Sequence, residues 1–397
     1  MPAAALALAA AALLCTLTTA AVAVSIVALF RATATRRRRL PDAIEPISVL
    51  KPLRGADDAL ERNLESFFAQ QHPDFELVFG VEGRADAAIA VVERLRARHP
   101  RVRAKLVVHD GRRGLNPKVS NLRAMLAAGA HDVVVISDSN VAVAPDYLVR
   151  LAGQLGGPPR RGRPIGLVTN LIAGTGERTL GSALENLHLN GAIAGSVAGA
   201  TAAGEPAVVG KSMMFRRSVL ESLGGLESVA TLLAEDYVIG RMFAEAGFAV
   251  VLCNGVIDAI SERATVKAFL QRQLRWSLLR SRLKPLVYPF EPLLNPMAVA
   301  LAAIALGAPA LVVAVWAVGL VLARDALGWS RLRGLGGLAA ALSLAPLKDL
   351  LLVGVWAAAP FVRHVSWRGT RLRISAGTRL YAEAPVAARA RQSAPNA

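Results

Sequence analysis

Cysteine is nearly absent: the 397 residues contain only Cys15 and Cys253. The first falls inside an apolar run and the second follows a strand-like segment, so neither a disulfide framework nor a cysteine-based metal site is expected. Charge is scarce too. Charged residues make up 19% of the chain against 54% hydrophobic, and mean hydropathy is +0.42. That balance is too apolar for an ordinary soluble enzyme and too charged for an all-helical transporter. A soluble domain with a few membrane helices fits it best. No G-x-G-x-x-G follows the first strand-like run, which leaves a dinucleotide oxidoreductase with little support, and no internal repeat is visible. Acidic residues are the minority sign, 29 against 46 Lys and Arg, for a net charge of +17. So basic a chain invites nucleic acid as a partner. The basic residues, however, sit beside apolar runs, as in "RATATRRRRLP" and "RHVSWRGTRLR", where anionic lipid headgroups explain them better. No aromatic-studded basic sheet or groove helix is evident, so nucleic acid is not expected.

What the chain does have is long apolar runs. Residues 4–30 carry no charge and exceed the ~20 residues a spanning helix needs. A cleaved signal peptide is the competing reading, but the segment lacks a positive n-region and its apolar run is too long. Arg31 and Arg36 to Arg39 follow at once, which places the next segment in the cytoplasm. Leu293 to Ala323 is again uncharged, and its Gly307-Ala308-Pro309 centre either kinks one span or separates two short re-entrant pieces. A third run, Leu338 to Val362, contains Lys348-Asp349, a pair expected to face protein, a cavity or the interface. The expected organisation is an N-terminal anchor with its basic flank (1–40), a cytoplasmic domain (45–285), a C-terminal transmembrane region (286–365) and a basic cytoplasmic tail (366–397). Three spans, with the N-terminus outside and the C-terminus inside, satisfy the charge flanks.

Between the spans, strand-like and helical patterns alternate. "ISVLKPL" precedes "DDALERNLESFFAQQ", which places Leu60, Leu64, Phe67 and Phe68 on one helical face. "FELVFGVE", a helix from Ala87 to Arg98, "VRAKLVVHD", a helix around Lys118 to Ala128, and "HDVVVISDSN" follow. This alternation predicts an α/β domain with a mainly parallel central sheet and ligands at the carboxyl ends of its strands.

Three constellations can carry chemistry. In "VVVISDSNV" an apolar strand ends at Asp138, with Asn140 beyond it. The two offer oxygen ligands to a hard cation such as Mg²⁺, or simply form a turn. In "LLAEDYVIGRMF", Glu235-Asp236 open an amphipathic helix. Asp236 either caps it or serves as a general base toward a hydroxyl. In "RQLRW", Arg272 and Arg275 share a helix face beside Trp276. Arg forks suit a pyrophosphate and Trp suits a sugar or an acceptor entrance, whereas a basic helix near a membrane otherwise contacts lipid. Arg280, Arg282 and Lys284 are assigned to headgroups.

Taken in order, "ISVLKPLRG" (Ile47 to Gly55), "GLNPKVSNL" (Gly114 to Leu122), "ISDSN" (Ile136 to Asn140), "AEDY" (Ala234 to Tyr237) and "RQLRW" (Arg272 to Trp276) resemble the ceramide glucosyltransferases and the related bacterial hopanoid glycosyltransferases. The resemblance implies a GT-A-type nucleotide-sugar-binding fold, a UDP-sugar donor, a divalent cation (Mg²⁺ or Mn²⁺), a membrane-lipid acceptor and inversion at the anomeric carbon. Carried over by position, Asp138 binds metal and diphosphate and Asp236 is the base. Arg272, Arg275 and Trp276 complete the diphosphate and acceptor site, while Lys51 and Lys118 lie near the nucleotide. One departure stands out: where the family has an Asp after the second strand, this chain has Gly83, flanked by Glu82 and Asp86. Either Glu82 substitutes or nucleotide recognition there is weaker. The Ala- and Arg-rich composition and "WRG" at Trp367 to Gly369 resemble the hopanoid members, for which the donor is UDP-N-acetylglucosamine and the compartment the bacterial inner membrane. The other readings are a ceramide acceptor, a processive polysaccharide synthase, for which three spans are few, and a non-catalytic membrane-anchored binding protein.

Overall fold

The computed structural model describes residues 2–34, 45–56, 59–111, 114–367 and 370–382. Helix α1 (Pro2–Ala32) leads to β1 (Ile47–Pro52), α2 (Leu60–Phe68), β2 (Phe75–Glu82), α3 (Ala88–Arg98), β3 (Arg103–His109), α4 (Pro117–Ala128) and β4 (Val133–Ser137). Next come β5 (Val141–Ala142), α5 (Tyr147–Leu155), β6 (Ile165–Thr175), α6 (Leu180–His188), a π turn (Leu189–Ile193) and α7 (Ala194–Ala203). β7 (Ser212–Arg216), α8 (Arg217–Ser222), α9 (Glu235–Glu245), β8 (Ala249–Ile260) and α10 (Val266–Leu283) complete the central domain.

The strands form one sheet in the order β3-β2-β1-β4-β7-β6-β8-β5. β3, β2, β1 and β4 are parallel, β7 is antiparallel to both β4 and β6, and β6 runs parallel to β8. Helices cover both faces, so β1 and β4 are buried along their whole length. Leu60, Leu64, Phe67 and Phe68 make the expected buried face of α2. Strand order reverses between β1 and β4, and a crevice opens at the carboxyl ends of strands at such a switch point. Asp138 lies there, with Lys51 of β1 buried beneath it.

The apolar C-terminal region differs from the expected two further spans. Leu293 to Ala323 divides into α11 (Pro296–Ala305) and α12 (Ala310–Arg333), with Gly307 at φ 90° in the turn. Leu338 to Val362 breaks into α13 (Leu338–Leu342) and α14 (Ala345–Ala358). Among the described residues, two helices, within Ala3–Ala32 and Ala310–Arg333, are long and apolar enough to cross a membrane. At ~1.5 Å per residue α11 and α14 reach only about 15 and 21 Å, short of a core ~30 Å thick. Lys348 and Asp349 are fully buried, as a charged pair inside an apolar run requires. Lys348 bonds Asp325 (2.5 Å) and Asp349 (3.2 Å), and Arg324 grips Asp349 through two bonds of 2.8 and 3.0 Å.

Two further expectations are corrected. The expected tail begins with folded chain: β9 (His364–Trp367), β10 (Thr370–Ile374) and β11 (Leu380–Ala382) form an antiparallel sheet. Leu372, Ile374 and Leu380 pack with Leu233 and Leu278, and backbone bonds Leu233 N to Thr378 O and Leu380 N to Thr231 O tie this sheet to the segment before α9. Burying those leucines outweighs solvating a basic strand. The Arg280, Arg282 and Lys284 cluster, assigned to headgroups, is engaged by protein: Arg280 by Glu291 (2.8 Å), Arg282 by the Pro360 and Val362 carbonyls, Lys284 by Glu205 (2.6 Å). Arg36 to Arg39, Arg368 and Gly369 lie outside the described residues.

Candidate active site

Asp138 follows β4, and the structure shows why it is held at the strand tip. Lys51 is completely buried beneath it, donating to the Asp138 carbonyl (2.6 Å) and Ser137 Oγ (3.2 Å) with its Nζ 3.8 Å from the centre of the Phe67 ring. Burial pushes the Lys51 pKa well down and Asp138 opposes that shift. Lys51, expected near the nucleotide, braces the backbone behind Asp138 and is not among the side chains that line the cavity.

Lys118 does reach the site. Asn116 caps α4 by accepting from the Lys118 and Val119 amides, with Pro117 at the first helical position. This cap aims Lys118 at Asp138 Oδ1 (3.0 Å), Glu235 Oε1 (3.1 Å) and the Gly210 carbonyl (3.4 Å). Burial works against its charge, but Asp138, Glu235 and Asp236 together raise the pKa above its ordinary value. Asn116 also donates to Glu235 Oε2 (3.2 Å), so Glu235 is held from two sides.

Asp236, next to it, is arranged otherwise. Its Oδ1 accepts from the Tyr237 amide (2.8 Å), and its carboxylate lines the cavity against Gly210. A side chain at Gly210 would put Cβ 2.2 Å from Asp236 Oδ2, so glycine is required for that approach. Desolvation, then the charge of Glu235, pushes the Asp236 pKa up to about 6, against Lys118 and the Tyr237 amide. A carboxylate with a pKa in that range can accept a proton near neutral pH.

These groups line one end of a cavity of about 1110 Å³, whose wall also includes Arg272, Arg275 and Trp276 from α10. Arg272 is paired with the buried Glu185 of α6, so the guanidinium expected to face a diphosphate already has a carboxylate partner. The same cavity is lined by His188, Gln273, Leu294, Ala298, Leu352 and Val353, and by Arg324 and Asp349. Glu82 stands elsewhere, with Arg54, Gly83, Asp86 and Asp110 around a second cavity of about 380 Å³. Asp86 accepts from the amides of Gly55 (2.9 Å) and Ala88 (2.8 Å). Gly83 has φ 81°, a backbone that disfavours the Asp the resemblance expects there.

Sequence reading missed Lys211. Its Nζ bonds Asn140 Oδ1 (2.6 Å) and lies 3.8 Å from Asp138 Oδ2. The only available signal was a Gly-Lys pair before a strand-like run, which gains meaning once β7 pairs with β4. Asn140 Nδ2 donates to the Ile260 carbonyl (3.0 Å), so the amide expected to ligate a metal is held between β8 and Lys211. Among the described residues no group of three or more His, Cys, Asp or Glu could hold a metal ion. Of the two expected ligands only Asp138 offers a carboxylate on the cavity wall, and one carboxylate with substrate phosphate oxygens is a manner in which Mg²⁺ is commonly bound.

A switch-point crevice on a mainly parallel sheet agrees with the GT-A type of nucleotide-sugar-binding fold that the resemblance implies. The chain is a member of glycosyl transferase family 21, whose profile matches residues 13–380. It is 30% identical over 270 residues to ceramide glucosyltransferase 1 of Caenorhabditis elegans, covering 68% of this chain and 57% of that protein. Over 115 residues it is 37% identical to the ceramide glucosyltransferase of Komagataella phaffii, covering 28% and 23%. The chain spans about half the length of the two Caenorhabditis elegans relatives it matches. Among solved structures it resembles a mannosyltransferase from Pyrobaculum calidifontis in complex with GDP-Man and Mn²⁺, at 19% identity and a TM-score of 0.48, over 88% of this chain and 99% of that one.

Proposed function

We propose that the protein transfers a sugar from a UDP-sugar to a hydroxyl of a membrane lipid, with inversion, at the cytoplasmic face of a bacterial inner membrane. The observation that carries this reading is the continuity of the main cavity. It runs from Asp138, Lys118 and Asp236 to apolar side chains of α11 and α14, so one space meets an anionic donor at one end and an acyl or polycyclic body at the other. In this mechanism Asp236 takes the acceptor's hydroxyl proton as the oxygen attacks the anomeric carbon and UDP leaves from the opposite face. Lys118 and Asp138 sit where the leaving diphosphate is received. A divalent cation, when bound through Asp138 and the phosphates, supplies further charge stabilisation there. Trp276 and Arg275 border the acceptor's path, and Glu82 borders the second cavity, where it would face the nucleotide base.

Two acceptors fit. Ceramide is supported by what the relatives are named for. A hopanoid polyol, with UDP-N-acetylglucosamine as donor, is supported by the Ala- and Arg-rich composition and the Trp367 to Gly369 sequence. Mass spectrometry of lipids from cells with and without the protein separates them, since the mass shift names sugar and acceptor together. A lipid glycoside that depends on the wild-type chain and is lost in Asp236→Asn and Asp138→Ala is the expected result. A polymeric product would replace this reading with a polysaccharide synthase, and transfer that survives both substitutions would overturn the site.

A further inference from the structure

Resting on that reading of the donor, we propose that Lys211 is a ligand of the donor's diphosphate, paired with Lys118 across the Asp138 carboxylate. The two ammonium groups approach opposite oxygens of Asp138, Lys118 at 3.0 Å from Oδ1 and Lys211 at 3.8 Å from Oδ2. They differ in how completely their charge is met. Lys118 is shared between two carboxylates at 3.0 and 3.1 Å. Lys211 makes its one short bond to the neutral amide of Asn140 (2.6 Å), and its carboxylate neighbour is too distant for a strong bond. Arg272, another cation of the cavity wall, is matched by buried Glu185. Among these three cations Lys211 has the longest carboxylate contact, so a ligand phosphate has the least to displace there.

Its position is fixed as well. Gly210 presses against the Asp236 carboxylate, and Ser212 begins β7, hydrogen-bonded to β4 at the Ser137 register. Lys211 is therefore delivered from the strand beside β4 to the point where the diphosphate meets Asp138, with its side chain only 16% exposed and on the cavity wall. A Lys side chain binds phosphate as a point charge on a flexible stem, so a diphosphate can draw Nζ from Asn140 without moving the backbone.

The test uses the full chain in detergent micelles and measures UDP, UMP and uridine by calorimetric competition, against Lys211→Met, which keeps the stem, and Lys211→Arg, which restores the charge. Losing one charged hydrogen bond weakens UDP binding about 10- to 100-fold. Uridine should stay within about 2-fold of wild type, and Lys211→Arg should recover part of the loss. In turnover the donor KM should rise by a similar factor while the acceptor KM holds. Equal losses for UDP and uridine would make Lys211 a mere support of the pocket and overturn the proposal, as would unchanged UDP affinity. A wild-type chain that binds no UDP would instead overturn the donor reading on which this one rests.

Discussion

Two clusters of charge lie along one cavity, and they are built on opposite principles. Arg324, Asp325, Lys348 and Asp349 are almost wholly buried among apolar helices, and each charge is met by an opposite one at 2.5 to 3.2 Å. Two positive and two negative groups leave nothing over. At the sheet, Lys118, Lys211, Asp138, Glu235 and Asp236 are unbalanced, with one carboxylate more than ammonium groups. Glu235 is held by Lys118 and Asn116, whereas Asp236 has an amide and a cavity. The complete network fixes how α12 and α14 pack. The incomplete one leaves Asp236 with a raised pKa and Lys211 without a carboxylate at short range, the features on which the proposed chemistry rests. Burial alone does not separate architecture from chemistry, but the completeness of pairing does.

The largest expected effect tests the unbalanced cluster. Asp236→Asn should lower kcat by about 10²- to 10⁴-fold, the usual contribution of a positioned base, measured as sugar transfer to lipid. Its stability effect has the opposite sign. The folded pKa is raised from 3.8 to about 6, so this group contributes stability below about pH 4 that is lost as pH rises through 6. Thermal denaturation at pH 7 should find the variant at least as stable as wild type. The same shift predicts an acid limb in kcat/KM near pH 6, and a flat profile down to pH 4.5 would refute the base assignment.

The paired cluster should behave in reverse. Lys348→Met leaves an uncompensated buried charge and should cost about 3–5 kcal/mol, read by denaturation in micelles. Adding Asp325→Asn should return part of that loss, since the two residues share a network. Gly210→Ala ranks next: its Cβ cannot coexist with Asp236 Oδ2 at 2.2 Å, and displacing the carboxylate by about 1 Å should cost roughly 10²-fold in kcat/KM with little change in melting. Smallest is Lys284→Ala, which removes an exposed pair with Glu205 and should shift stability by less than about 1 kcal/mol. A larger loss would show that charge completeness matters at this surface too.

Much of the site was legible because it lies in short contiguous motifs. "ISDSN" places Asp138 where an apolar strand must stop, and "AEDY" places Asp236 in the first turn of an amphipathic helix. Their closeness to Lys118 was not legible, since it depends on β4 neighbouring β1 and on the Asn116 cap turning α4 toward both. Lys51 shows the same limit from the other side: its motif marks it, but only packing over Phe67 shows that it points beneath the strand. Arg272 was marked by its motif, but its pairing with Glu185 of α6 was not.

By itself the sequence determined the alternation of strands and helices, the apolar runs and the strand-tip and helix-start carboxylates. Hydrophobic period and local backbone preference act over a few residues and need no partner. Tertiary structure alone decided which cations meet which anions. It joined Lys211, 71 residues from Asn140, to the Asp138 tip and folded residues 364–367 and 370–382 against the segment before α9. It also closed Arg324, Asp325, Lys348 and Asp349 into one network. Coulomb interactions are decided at a few ångströms, and only the fold sets distances of that size between residues so far apart in the chain.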